Sequence, residues 1–233
     1  MAIKILKDDL SERALKTIFT EINALKALKS HPNIVKLLDY DQSEYTKAHK
    51  EERKFVNYIV IELAGGGELF NIISQTGRFE EDMARYYFRQ MVEAIDYCHQ
   101  QGVTHRDLKP ENIMMDFNFN LKVIDFGLAG PVQGRDGSGF LKTTLGTYGY
   151  MAPEQHLGRD YEGEKVDIFA LGVILFVMYS KHPPFNAAIP KDPFYVALAS
   201  KNYNIFWKKH SEHKKEGEKF FSPEFRDLFE KIT

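Results

Sequence analysis

"THRDLKPEN" (residues 104–112) is the stretch whose reading decides the fold. It places His105, Arg106, Asp107, Lys109, Glu111 and Asn112 in one loop, between an amphipathic helix pattern over 81–102 and a hairpin pattern over 112–127. A charge cluster of this kind is usually a solvated loop. Here the following hairpin, "NIMMDFNFNLKVIDFG", has asparagine turn chemistry and ends in a second carboxylate, Asp125, directly after an apolar strand. Pairing its two strands should bring Asp107, Asn112 and Asp125 close together. One Asn and two Asp oxygens, with a lysine beside them, form a hard-oxygen site for Mg²⁺ and a cation for phosphate. That is poor core chemistry and good phosphoryl-transfer chemistry.

Two further charges stand in apolar surroundings. In "MAIKILKDDL" (1–10), residues 1–6 alternate like a strand, yet Lys4 has apolar neighbours. Residues 9–29 read as a helix, with Asp8, Asp9 and Ser11 available to cap its start. At about 100° per residue, Leu15, Ile18, Phe19, Ile22, Leu25 and Leu28 share one broad arc. Glu21 falls inside that arc. Each charge is costly to bury alone, so the two are best reconciled if they meet.

The rest of the chain divides around "GGGELF" (65–70). Before it, 31–40 and 55–63 read as a strand pair separated by a charged loop over 43–54. After residue 80 the pattern is mainly helical, with Gly102 placed to close the 81–102 helix and a Gly-rich polar loop over 130–147. The expectation is an α+β fold. A small sheet-rich lobe (1–63) joins, through a hinge near Gly65–Gly67, a larger helical lobe (64–233). The composition is that of an ordinary globular protein: 43% hydrophobic and 27% charged residues over 233 positions. A net charge of −2 gives no footprint for nucleic acid or an anionic membrane. The longest apolar run, "ALGVILFVMY" (170–179), is short of the roughly 20 residues a membrane span needs. One cysteine, Cys98, excludes an internal disulfide, and the expected location is cytoplasmic or nuclear. Cys98 itself reads as a small core residue.

His-Arg-Asp-Leu-Lys-Pro-Glu-Asn, then Asp-Phe-Gly thirteen residues after the Asn, then Ala152-Pro153-Glu154, resembles the ordered signature of the protein kinase family. "AIK" (2–4) is similar to its strand lysine and Glu21 to its helix glutamate, so the resemblance runs nearly end to end. It implies that Lys4, fixed by Glu21, holds the α- and β-phosphates of ATP, and that Asp107 orients the substrate hydroxyl. Lys109 would neutralise the γ-phosphate, while Asn112 and Asp125 would bind Mg²⁺. Ala2 and Met114 would sandwich adenine, the backbone of Glu62 to Ala64 would read its edge, and Ile61 would guard the back pocket. Leu25, Leu37, His105, Phe126 and Asp167 match a stack that aligns in the active state. Lys109 and "GTYGYMAPE" (146–154) resemble the Ser/Thr class, with Thr147 bonded to Asp107 and Lys109. "GGGELF" and "SKHPPF" (180–185) resemble calmodulin-dependent and AMP-activated kinase relatives. Glu68 matches a position that contacts ribose, and Glu68 with Glu111 suits a protein substrate carrying an upstream basic residue. Arg106 usually grips a phosphorylated activation-loop residue, which points to Thr143, with Thr144 next, as the target of an upstream activating kinase.

The resemblance lacks two pieces. Only three residues precede Lys4, so the family's Gly-x-Gly-x-x-Gly hairpin is absent, and "GGGELF" lies at the hinge with the wrong spacing. The edge of the Lys4 strand is then an expected pairing liability. The chain ends at "FRDLFEKIT", before the helix whose arginine pairs with the Glu154 position, so a buried, unpaired Glu154 is expected to be destabilising. Two readings follow: a Ser/Thr protein kinase of very low activity as this chain, or a non-catalytic kinase-like protein that binds partners.

Overall fold

In the computed structural model, which describes residues 1–6, 10–46 and 53–233, the small lobe is built on three antiparallel strands. These are β1 (Ala2–Ile5), β2 (Leu37–Thr46) and β3 (Arg53–Ile61), in the order β1-β3-β2. Lys4 pairs with Ile59 and Ala2 with Ile61, which sets β1 on the sheet edge, as expected. The strand expected over 31–40 begins only at Leu37. Pro32 has no N–H for a ladder, and the segment after it docks instead on the large lobe. Val35 N donates to Val123 O (3.0 Å) and Val123 N to Asn33 O (2.8 Å). Conversely, the charged stretch expected as a loop over 43–54 extends the ladder to Thr46 and resumes it at Arg53. Its polar residues are tolerated because that arm of the hairpin is exposed, Glu44 and Phe55 included.

Helix α1 (Glu12–Ala27) is shorter than the expected 9–29. Ser11 caps it, its Oγ accepting from Ala14 N at 3.2 Å, while Asp8 and Asp9 lie outside the described residues. The buried face carries Glu21, Ile22, Ala24, Leu25 and the flanking Leu28. Leu15 and Phe19, expected on that face, are 39% and 61% exposed. Periodicity found the apolar arc, but within it Ile18 is partly buried against the core while Leu15 and Phe19 are not covered.

The large lobe follows β4 (Gly67–Glu68) with α2 (Leu69–Thr76), α3 (Glu81–Gln100) and the short strands β5 (Val103–Thr104), β6 (Ile113–Met115), β7 (Leu121–Val123) and β8 (Gly130–Pro131). Then come α4 (Pro153–His156), α5 (Gly163–Ser180), α6 (Pro193–Ala199), α7 (Tyr203–Ser211) and α8 (Pro223–Ile232). Gly102, just beyond α3, takes φ +77°, which glycine alone adopts without strain. Apolar residues lie all round α5, and the helix is accordingly buried along its length, packed on α3 and α8. Phe176 on α5 centres an aromatic cluster, with ring centroids of Phe221 at 5.2 Å and Phe229 at 5.1 Å. Cys98 is fully buried, and burial pushes its thiol well above the ordinary range. Among the described residues no helix is long and apolar enough to cross a membrane.

His210, at the end of α7, gives this lobe a pH dependence. Burial, reinforced by nearby His182 and Lys214, lowers it from 6.5 to about 4, against raising contributions from the Pro184 carbonyl and Asp192. Because the unfolded chain binds the proton more readily, the stability from neutral His210 is complete above pH 6.5 and is lost as pH falls toward 4. His210→Gln is expected to remove on the order of 1–2 kcal/mol of the stability loss between pH 7 and pH 5. Urea unfolding of both proteins at the two pH values checks this; parallel losses would refute it.

Candidate active site

Asp167 organises the 104–112 loop from beneath. It sits on α5, 1% exposed, and its carboxylate accepts from His105 N and Arg106 N, both at 2.8 Å. His99 Nε2 lies 2.9 Å from the same group. These bonds hold Arg106 at φ +67°, a left-handed backbone that costs a non-glycine residue about 1–2 kcal/mol. His105 is fully buried against Phe126, with centroids 4.8 Å apart. Its Nε2–H faces the Ile124 carbonyl at 3.0 Å, so Nδ1 is free to accept from Asp107 N at 3.2 Å. The loop is thereby bonded to α5 below and to the 112–127 hairpin beside it.

Asp107 points into a convergent set of donors. Its Oδ1 accepts from Thr147 Oγ1 at 2.7 Å, and its Oδ2 lies 3.1 Å from Lys109 Nζ. Lys109 also donates to Thr147 Oγ1 at 2.9 Å, closing a triangle. Asn112 Nδ2 donates to the Asp107 carbonyl (2.9 Å) and to Oδ2 (3.2 Å), which turns the Asn112 amide oxygen away from that carboxylate. The β6–β7 register and the bond from Ile124 N to Asn112 O (3.0 Å) bring Asp125 round to the same end of the hairpin. Asp125 is exposed at φ +61°, its carboxylate touched by Gly127 N at 3.3 Å. An amide oxygen and an exposed carboxylate are hard donors that fit Mg²⁺, with phosphate and water completing the shell as such sites usually do. Gly146, at φ +123°, passes so close that a Cβ there would lie 2.9 Å from the Arg106 carbonyl. A glycine is therefore needed to lay the 146–151 loop over Asp107.

The two lone charges of the small lobe do meet. Lys4 Nζ lies 2.7 Å from Glu21 Oε1, with the lysine side chain 44% exposed and the glutamate 7%. Glu21 is therefore the buried anchor, and Lys4 keeps its outer face free for a ligand. Along the hinge, Ile61 and Ala64 are buried. The Glu62 carboxylate is taken by Lys122 Nζ (2.6 Å) and Lys36 N (3.2 Å), so its side chain is already engaged within the protein. Ala2 and Met114 are both half-buried, and Met114 pairs with Glu68 across β4 and β6. Glu68 accepts from Asn71 Nδ2 at 3.0 Å. Glu111 Oε2 is buried without a hydrogen-bond partner. Glu154, expected to be buried, is only half-buried, and its carboxylate is not among the unpartnered buried atoms of the described residues.

Thr143 and Thr144 are exposed, and it is the backbone of Thr143 that connects to Arg106. The guanidinium of Arg106 donates to Leu128 O (2.7 Å), Ala129 O (3.1 Å) and the Tyr161 hydroxyl (3.3 Å). Tyr161 in turn donates to Thr143 O at 2.8 Å, and its backbone bridges Leu141 in both directions. Nothing local in the sequence marks Tyr161, because its role depends on a pairing across 20 residues. Gln155 was missed for the same reason; buried, it accepts from Ala152 N (2.9 Å) and donates to Leu145 O (3.0 Å). Tyr161→Phe is expected to cost about 1–2 kcal/mol, the price of leaving buried polar groups short of a partner. A change under about 0.3 kcal/mol in urea unfolding would refute the bridging role.

Comparison with known proteins agrees with this geometry. The family model for the protein kinase domain matches residues 1–233. CBL-interacting protein kinase 11 of Oryza sativa subsp. japonica is 38% identical over 234 residues, covering all of this chain and 42% of that protein. CBL-interacting serine/threonine-protein kinase 9 of Arabidopsis thaliana is 43% identical over 187 residues, 79% of this chain and 39% of that protein. The chain thus spans about two fifths of the length of the curated relatives it matches. With the ion pair of Lys4 and Glu21, the Asp107 loop and the Asp125 hairpin assembled as described, the chain belongs to the protein kinase domain family.

Proposed function

We propose that this chain transfers the γ-phosphoryl group of ATP to a serine or threonine hydroxyl of a protein. The observation that carries the reading is the triangle of Asp107, Lys109 and Thr147. It leaves a carboxylate oriented for a hydroxyl proton beside a cation suited to phosphate. When bound, Mg²⁺ supplies charge neutralisation on the phosphates. The remaining work belongs to the chain: Asp107 orients the acceptor hydroxyl, Lys109 stabilises transferred charge, Lys4 fixes the phosphates, and Asn112 with Asp125 holds the ion. The contact of Thr147 with both Asp107 and Lys109 supports Ser/Thr over Tyr acceptors.

The unpartnered Glu111 oxygen and the half-buried Glu68 support a substrate with a basic residue near the acceptor, because a buried lone carboxylate oxygen gains by meeting a cation. The exposed Thr143 hydroxyl, with Thr144 next to it, is the proposed target of an activating kinase. Its phosphate would draw on Arg106, now held by Tyr161 and two carbonyls. A cytoplasmic setting belongs to the same reading, supported by a single cysteine.

The test is incorporation of labelled phosphate from Mg·ATP into matched Ser and Tyr peptides, each with or without an upstream arginine, at high protein concentration. Slow transfer restricted to the Ser peptides, and faster with arginine, is expected. Nucleotide binding without any transfer would favour the non-catalytic alternative.

A further inference from the structure

We propose that the cavity between the 181–186 connection and the end of α7 docks an acidic peptide segment. The cavity has a volume of about 420 Å³ and is lined chiefly by His182, Phe185, Phe194, Lys209, His210 and Lys214. Among the described residues no carboxylate lines it. Lys214, half-buried, donates to the Ser180 carbonyl at 3.2 Å and lies over the Phe220 ring at 4.6 Å, and it makes no ion pair among the described residues. Lys209 lies over the Phe194 ring at 5.4 Å, again without an ion pair among the described residues. These ammonium groups contrast with Lys4, Lys122, Lys142, Lys165 and Lys231, each of which meets a carboxylate.

The acids near them do not neutralise them: Glu216, whose charge acts on Lys214, lies 3.3 Å from Arg78. Asp192 is buried, and its two oxygens already accept from Asn186 N, Phe194 N and Tyr195 N, each at 2.9 Å. Both inner imidazoles are likewise committed: His182 faces the Pro183 carbonyl at 3.1 Å and His210 the Pro184 carbonyl at 2.9 Å. Their rings stack at 5.3 Å and form a neutral aromatic wall. The pocket is therefore a concave, aromatic-sided space with two cations at its rim that form no ion pair among the described residues. That chemistry accepts a carboxylate-bearing side chain, whose aliphatic part packs on the rings while its charge meets the lysines.

Position adds a source for the segment. Asn186 lines the cavity, and its carbonyl lies against Gly149, 3.4 Å from where a Cβ would sit. Gly149 belongs to the loop that carries Thr147 over Asp107. A segment seated in the cavity thus lies alongside the acceptor-binding loop, and an acidic stretch on a protein substrate is the occupant. This last step rests on the kinase reading; docking itself does not.

The experiment measures fluorescence anisotropy of labelled octaglutamate and octaglutamine peptides on the 233-residue chain. Octaglutamate should bind at least about tenfold more tightly. Lys209→Ala/Lys214→Ala should remove about tenfold of that affinity. Lys208→Ala/Lys215→Ala, an equal charge change on exposed neighbours, should alter it less than about threefold. Equal losses in the two pairs would show unspecific attraction and overturn the proposal, as would equal binding of the two peptides. Should Lys214→Ala unfold the lobe by freeing Ser180 O, exposed Lys209→Ala alone must still weaken octaglutamate by about threefold or more. No loss there also overturns it. Because binding is read without phosphoryl transfer, an inactive chain that docks the peptide would count against the kinase reading alone.

Discussion

Asp107→Asn is expected to lower the rate of phosphoryl transfer by about 10²–10⁴-fold, the usual contribution of a positioned proton-accepting group. The substitution keeps the shape of the side chain and one acceptor oxygen for Thr147, now 2.7 Å away. It removes the charge that draws Lys109, at 3.1 Å, and the lone pair that would take the hydroxyl proton. The nucleotide contacts proposed for Lys4 and the hinge would be untouched, so affinity for Mg·ATP should change less than about threefold. The comparison that decides the matter is single-turnover transfer set beside equilibrium nucleotide binding in both proteins. Equal loss of binding and transfer would mean that Asp107 acts on ground-state affinity instead, and retained transfer would remove it from the chemistry altogether.

Asp167→Ala carries the largest expected effect on stability. The carboxylate is 1% exposed and accepts two backbone N–H bonds at 2.8 Å, with His99 at 2.9 Å. Without it, His105 N and Arg106 N stay buried with no acceptor, and the strained backbone at Arg106 loses the bond that holds it. The expected cost is about 3–5 kcal/mol, in the range for breaking a buried charged network. Asp167→Asn keeps one acceptor but turns a donor toward the second N–H, and should cost roughly half as much. Chemical denaturation of the three proteins supplies the numbers; a cost below about 1 kcal/mol for the alanine variant would mean water or a rearranged loop replaces the carboxylate. Any loss of activity in Asp167→Asn should follow from the displaced loop, since Asp167 does not face the cleft.

Much of this site was legible because its chemistry is written in short segments. The loop over 104–112 and the hairpin that follows hold Asp107, Lys109, Asn112 and Asp125 within 19 residues, and strand pairing over a tight turn leaves few ways to arrange them. Lys4 and Glu21 were legible for a different reason: each is a charge in an apolar pattern, and burial forces such charges into pairs. The apolar arc of α1 was read correctly as an arc and wrongly as a buried one. Leu15 and Phe19 obey the helical period, but exposure depends on what stands opposite, which no period encodes.

The amino-acid sequence alone therefore determined the two-lobed α+β fold, the family and the groups proposed to carry the chemistry, because these rest on local pattern and on the cost of isolated charge. Tertiary structure decided the rest. It extended β2 and β3 into a stretch that reads as a charged loop, and it turned 31–36 from strand into an inter-lobe clasp. It also threaded Tyr161 between Arg106 and Thr143. Each of those outcomes depends on hydrogen bonds between distant segments, and a buried donor takes the acceptor that packing brings to it.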